Sequence, residues 1–127
     1  MPGAITVRAV CGRREFRRFI DYAYERNASD PHWVAPLRMS EYDRLTPKRN
    51  PFFAHAEVQL FLAWRDGMVA GRIAAIDDRL HNQVHGDNTG MFGFFEAGDR
   101  QVAGARRAIV TAGGFFFNAQ GVTLRRG

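Results

Sequence analysis

The sequence predicts a single α/β (α+β) domain whose elements run β-α-α-β-β-β-α-β. The stretch from Glu57 to Asp78, "EVQLFLAWRDGMVAGRIAAIDD", holds two apolar runs rich in branched and aromatic residues, broken once at Asp66-Gly67. An Asp-Gly pair supplies the positive φ angles of a type I′ turn, so the two runs read as an antiparallel hairpin long enough to centre a sheet. Upstream, "GRREFRRFIDYAYERN" places Phe16, Phe19, Ile20 and Ala23 at helical spacing, with charges on the opposite face. The 127 residues, 46% of them hydrophobic, suffice for one core and exclude a disordered segment.

Taken in order, "AITVRAV" alternates and gives a first strand from Ile5 to Val10. The amphipathic helix follows from about Arg13 to Arg26 and ends near Asn27-Ala28. Pro31 and Pro36 forbid a regular element across "SDPHWVAPLR". Trp33, between them, reads most simply as a plug of the core beneath a rigid loop. A shorter helix covers Ser40 to Leu45, with Ser40 as its cap. "TPKRNPFFAHA" is proline-broken and delivers the chain into the hairpin, Phe52-Phe53 anchoring it on the core. Along the hairpin, Leu60, Leu62 and Trp64 alternate on one arm and Val69, Gly71, Ile73 and Ala75 on the other.

After the hairpin, "RLHNQVHGDN" is polar and turn-like, and "TGMFGFFEA" forms a strand from about Thr89 to Glu96. Phe92, Phe94 and Phe95 on this strand are expected in the core with Phe61 and Trp64. Gly98-Asp99 opens a helix in which Val102, Ala105, Ile109, Ala112 and Phe116 line one face. Gly113-Gly114 interrupts that helix, because each glycine costs about 1 kcal/mol against alanine in a helix interior. "VTLRRG" begins a last strand. The chain shows no internal repeat and no low-complexity segment.

The net charge of +5 is carried almost wholly by arginine, since Lys48 is the single lysine. The arginines fall in scattered pairs (Arg13-Arg14, Arg17-Arg18, Arg106-Arg107, Arg125-Arg126) and form no single block, which argues against a nucleic-acid binder. The apolar runs are far shorter than the roughly 20 residues of a membrane span, and no signal-peptide stretch precedes the first charges. A soluble, cytoplasmic protein with no membrane partner is therefore expected. The one cysteine, Cys11, has no partner for an internal disulfide; it is an ordinary small residue or, as the alternative, a reactive thiol. His81 and His85 stand four apart without a third ligand at a telling distance, so no metal site is expected.

The order of elements resembles the first two thirds of the GNAT superfamily of N-acetyltransferases. More closely, "DPHWVAPLR", "NPFFAHAEVQLFLAWRDGMVAGRIAAIDDRLHN" and "GMFGFFEA" are similar to a bacterial GNAT-like family that is mostly uncharacterised. The resemblance covers Ile5 to about Gly127. It implies a mixed, mostly antiparallel sheet with helices on both faces, in a domain that continues past this point and is truncated here at its C-terminus. It also implies acetyl-CoA as co-substrate and transfer of the acetyl group to a small-molecule or peptide amine. In such a fold the fourth strand, here Met91 to Glu96, splays from the fifth and offers backbone groups to the pantetheine arm. The next helix offers unpaired N–H groups to the pyrophosphate.

Carried onto this sequence, the resemblance makes Phe94, Phe95, Gly98, Arg100, Gln101 and Gly104 the cofactor-binding positions, with "QVAGAR" the best match to the phosphate loop. Its final position is arginine where the family has glycine or alanine, and Glu96 and Asp99 set carboxylates beside the expected pyrophosphate. The plain alternative makes Gly98 a turn residue and Gly104 a packing glycine. Glu96, ending the strand, is the candidate general base that takes a proton from the acceptor amine; a solvated charge beside a helix terminus is its alternative. His55 and Glu57 lie at the hairpin entrance, by default as surface groups, with a place facing the acceptor cleft as the alternative; the resemblance likewise gives the loop of His32 and Trp33 a part in shaping the acceptor side, as the alternative to a core plug. Whether the chain catalyses stays open, because a fold does not fix a function. An inactive fragment, a half-domain completed by a second copy or a partner chain, and an arginine-driven nucleic-acid module are the other readings.

Overall fold

The computed structural model of the chain describes residues 4–86, 89–98 and 123–124. Four strands form an antiparallel meander: β1 (Thr6–Ala9), β2 (Ala56–Arg65), β3 (Met68–Asp78) and β4 (Thr89–Ala97). The two-residue β5 (Thr123–Leu124) pairs in parallel with Thr89 and Gly90 of β4. Among the described residues three α-helices accompany the sheet: α1 (Gly12–Arg26), α2 (Arg38–Leu45) and α3 (Arg79–His85). The fold is thus of the mixed α/β class, with a mostly antiparallel sheet. The helix expected from Gly98-Asp99 onward lies outside the described residues.

Helix α1 buries the face its spacing defines: Phe19, Ile20, Tyr22 and Ala23 are buried and Phe16 packs beside them. Cys11 precedes it without a side-chain cap, and Glu15 reaches back to accept the Cys11 N–H at 2.9 Å. Asn27 ends the helix by donating from its backbone (3.1 Å) and its side chain (2.8 Å) to the Ala23 carbonyl. Phe19, Ile20, Leu45, Leu62 and Ala74 make the centre of the core.

The hairpin turn follows the expected chemistry. Asp66 and Gly67 have φ of 53° and 78°, and Arg65 pairs with Met68 across the turn. The alternation expected on β3 does not survive one step further. Ala63 pairs with Gly71 but Trp64 with Val69, leaving Ala70 as an extra residue in a β-bulge. Past the bulge the faces exchange: Leu60 and Leu62 stand opposite Ala74 and Arg72, not Ile73 and Gly71. Val69 accordingly packs with Leu62 and Ala74 on the α1 side, while Ile73 and Ala75 are buried with Phe61 and Ala63 on the opposite face. The Ala70 carbonyl accepts hydrogen bonds from the Tyr22 hydroxyl at 2.9 Å and the Gly98 N–H at 3.3 Å.

A second irregularity divides β3 from β4. Ala74 pairs with Gly93 and Arg72 with Glu96, so Phe94 and Phe95 together face the single residue Ile73. Phe94 takes φ of 58° to accommodate the bulge. This corrects the expectation that the three phenylalanines share the core: Phe94 packs against it, whereas Phe95 is 36% exposed.

Three boundaries also differ from expectation. The second helix begins at Arg38, not Ser40, and its cap position is Leu37, without a side-chain hydrogen bond; Arg38 is held there by an ion pair with Asp21 of α1. "PFFA" (Pro51–Ala54) closes into a 3₁₀ turn whose Phe52 N–H donates to the Asn50 side chain at 3.0 Å. The polar stretch after β3 is helical, because Asp78 caps it by accepting the His81 N–H at 3.1 Å.

Candidate functional site

A cavity of about 370 Å³ lies where α1, the proline-bounded connection 28–37, α2 and the β3/β4 bulge meet. Its volume is that of a small-molecule site. The wall from α1 and the connection is aromatic: Trp33 meets Tyr24 edge-on at 5.5 Å, and the Tyr24 hydroxyl donates to the Pro36 carbonyl. This replaces the reading of Trp33 as a plug of the core with one in which it lines a cavity. The sheet supplies Gly93, Phe94 and Glu96, and at Gly93 a Cβ would stand 3.2 Å from Ile76 Cδ1, a close contact that Ile76 would have to yield to.

Four charged side chains line this space: Glu41, Arg44, Arg72 and Glu96. Arg72 is 6% exposed, and its Nη1 donates to the Phe19 carbonyl at 2.8 Å. The guanidinium lies over the Phe19 ring at 4.8 Å and near Phe94 at 5.9 Å. Its buried Nε has no hydrogen-bond partner among the described residues. Burial lowers the Arg72 pKa, and the Glu96 and Glu41 carboxylates oppose that by favouring the charged form. Glu41 is buried and accepts from Arg44 Nη1 at 3.0 Å, one helical turn away on α2. Arg44 in turn lies over the Phe94 ring at 4.8 Å. Phe94 is therefore contacted by both cations of the site. It holds a left-handed backbone that a bulky residue rarely adopts, and such strain gathers at functional sites.

Of the residues singled out from sequence, Phe94 and Glu96 come together in this cavity. Gly98 is tied into the sheet through its N–H to Ala70. Phe95 is not among the lining residues. Arg100, Gln101 and Gly104 lie outside the described residues. Sequence reasoning missed Arg72, Arg44, Glu41 and Tyr24. The signal for Arg72 was a single charge inside the apolar run "VAGRIAAI"; for Glu41 and Arg44 it was an opposite-charge pair at i,i+3. His55 lies apart from the cavity, pairing with Asp78 at 2.8 Å. His81 and His85 stack on α3 at 4.5 Å, and no group of three metal-ligating side chains occurs among the described residues.

The chain is similar to a bacterial ceramide synthase of Caulobacter vibrioides, with 52% identity over 86 residues, covering 67% of this chain and 22% of that protein. It is also similar to Protein YghO of Escherichia coli, with 33% identity over 93 residues, covering 73% of this chain and 24% of that protein. The chain thus spans less than a quarter of the length of these curated relatives. An 86-residue match within 127 residues necessarily takes in β2 and β3, and so Arg72. No family model matches the chain, and no solved structure matches it. These findings correct the resemblance to GNAT-type N-acetyltransferases: the relatives are named as a ceramide synthase and YghO, and no family model supports the acetyltransferase reading. Acetyl transfer from acetyl-CoA to an amine falls with it.

Proposed function

We propose that this chain is part of an enzyme that makes a ceramide, and that the cavity receives the amino head of the long-chain base. The observation that carries the reading is the 52% identity to a bacterial ceramide synthase over two thirds of the chain. A ceramide is the amide of a long-chain amino alcohol with a fatty acid. Making it requires a deprotonated amine, an activated acyl carbonyl, and exclusion of competing water. The chemistry of the cavity is suited to the first of these. Glu96 supplies a carboxylate beside aromatic surfaces, and Tyr24 and Trp33 line the same space with apolar ring surface suited to hydrocarbon.

In the proposed step the amine nitrogen attacks the acyl carbonyl and forms the C–N bond. The bond to the leaving group then breaks, and the leaving group departs with its electron pair. The proton released by the amine passes to Glu96, directly or through one water. Arg72, opposite Glu96 in the ladder, supplies a fixed positive charge at that point of the site.

The test is incubation with a long-chain amino alcohol and an activated long-chain acyl donor, followed by mass spectrometry for the N-acylated product. Glu96→Gln is expected to lower the rate by about 100-fold or more while amine binding, measured by calorimetry, persists. Neither product nor amine binding from a folded chain would sink the reading.

A further inference from the structure

We infer that α1 and the start of α2 form a docking surface for an anionic lipid bilayer, which holds the cavity beside its source of lipid. Arg13, Arg14, Arg17 and Arg18 are all exposed on α1. At about 100° per residue they occupy one side of the helix. No acidic side chain among the described residues pairs with any of them. Glu15, the acid in their midst, is turned back onto the Cys11 N–H.

The same side of α1 continues to Asp21, which lies one turn beyond Arg17 and two beyond Arg14. Asp21 is the residue that holds Arg38, and Arg38 also covers the Tyr24 ring at 4.1 Å. The arginine stripe therefore runs into the segment carrying the most exposed apolar side chains described: Val34 (88%), Leu37 (76%) and Met39 (76%). Trp33 and Pro36 of that segment line the cavity.

A row of guanidinium groups with no acidic partner among the described residues, leading to protruding apolar side chains, is the pattern of a surface that lies on an interface. The cations meet headgroup phosphates and the apolar groups enter the acyl boundary. A nucleic acid would satisfy the arginines but offers nothing to Val34, Leu37 and Met39, so the observations favour lipid. No described helix is long and apolar enough to cross a membrane, and the proposed contact is one of surface adhesion. It departs from the expectation of no membrane partner, which rested on the lack of a span and not on surface adhesion. The inference rests in part on the ceramide reading, which places the substrate in a bilayer.

The experiment is co-sedimentation of the full chain with phosphatidylcholine vesicles, with and without anionic phosphatidylglycerol, at low and high salt. Binding is expected to require the anionic lipid, to weaken with salt, and to fall about tenfold or more in Leu37→Ser/Met39→Ser and in Arg14→Gln/Arg17→Gln/Arg18→Gln. Circular dichroism melts confirm that both variants fold. Equal binding by the variants overturns the inference, as does no vesicle binding or binding to duplex DNA in preference to vesicles. Glu96→Gln should bind vesicles like the parent. Product formed from detergent-dispersed substrate without vesicle binding overturns only the docking surface. Vesicle binding without product overturns only the ceramide reading.

Discussion

Replacing Arg72 by methionine tests the account of the buried charge most directly. The substitution keeps an unbranched stem and removes the guanidinium. The hydrogen bond to the Phe19 carbonyl is charge-assisted and buried, and its loss costs about 1.5–3 kcal/mol. Against this stands relief from burying a cation whose Nε has no partner among the described residues. The Glu96 and Glu41 carboxylates also lose a compensating charge, which tips the balance toward destabilisation. The expected net loss is about 1–2 kcal/mol, or roughly 3–10 °C in Tm for a chain of this length. If Arg72 and Glu96 support one another, Glu96→Gln should be less harmful in the Arg72→Met background than alone, by at least about 0.5 kcal/mol. Thermal and urea melts of the four proteins at pH 7 read both quantities. A rise in Tm for Arg72→Met, or strict additivity, would refute the reasoning.

Other perturbations probe the scaffold. Gly67→Ala meets open space around its new Cβ, so its expected loss of about 1–2 kcal/mol is purely conformational; urea curves that match the parent would contradict the left-handed turn. Tyr22→Phe removes the hydrogen bond to the Ala70 carbonyl and should destabilise by about 1 kcal/mol in the same assay, with no loss at all excluding that anchor. Asp78→Ala removes both the cap of α3 and the partner of His55, an expected loss of about 1–2 kcal/mol at pH 7. Burial alone would raise the Asp78 pKa, but the His81 N–H and the His55 ring hold it below the ordinary value. That contribution is therefore complete above the unfolded carboxylate pKa of about 4 and is lost as pH falls through the lower folded value. The gap between parent and Asp78→Ala should shrink in acid; a gap that widens below pH 4 would reverse the sign.

What was legible in the sequence followed local chemistry. The Asp66-Gly67 turn, the buried stripe of α1 and the strand that carries Phe94 and Glu96 each carry their own signal within a few residues. The site was half legible for a related reason. Phe94 and Glu96 were found because they lie on that strand, but Arg72 was not, since its direction depends on Ala70. An alanine carries no mark of a bulge, yet its insertion exchanges the faces of the whole β3 arm and sends the arginine to the α1 side. Glu41 and Tyr24 were missed because their meeting depends on how α2 docks, which no local pattern states. The helix after β3 is not legible because "RLHNQVHGDN" is polar and turn-like throughout, and its cap, Asp78, is also the last residue of β3.

At Phe94 a strained backbone is set against what the ring contacts. A left-handed position is relaxed by glycine or asparagine, at a gain of about 1–2 kcal/mol, but either residue would strip the aromatic ring that Arg44 and Arg72 rest upon. The ring also packs against the core, and its loss would cost about 3 kcal/mol or more, so a library randomised at position 94 and sorted for thermal resistance should keep large apolar residues of several kinds. The same library sorted for turnover should narrow to aromatic residues. A turnover sort no narrower than the thermal one would leave the ring a packing role alone.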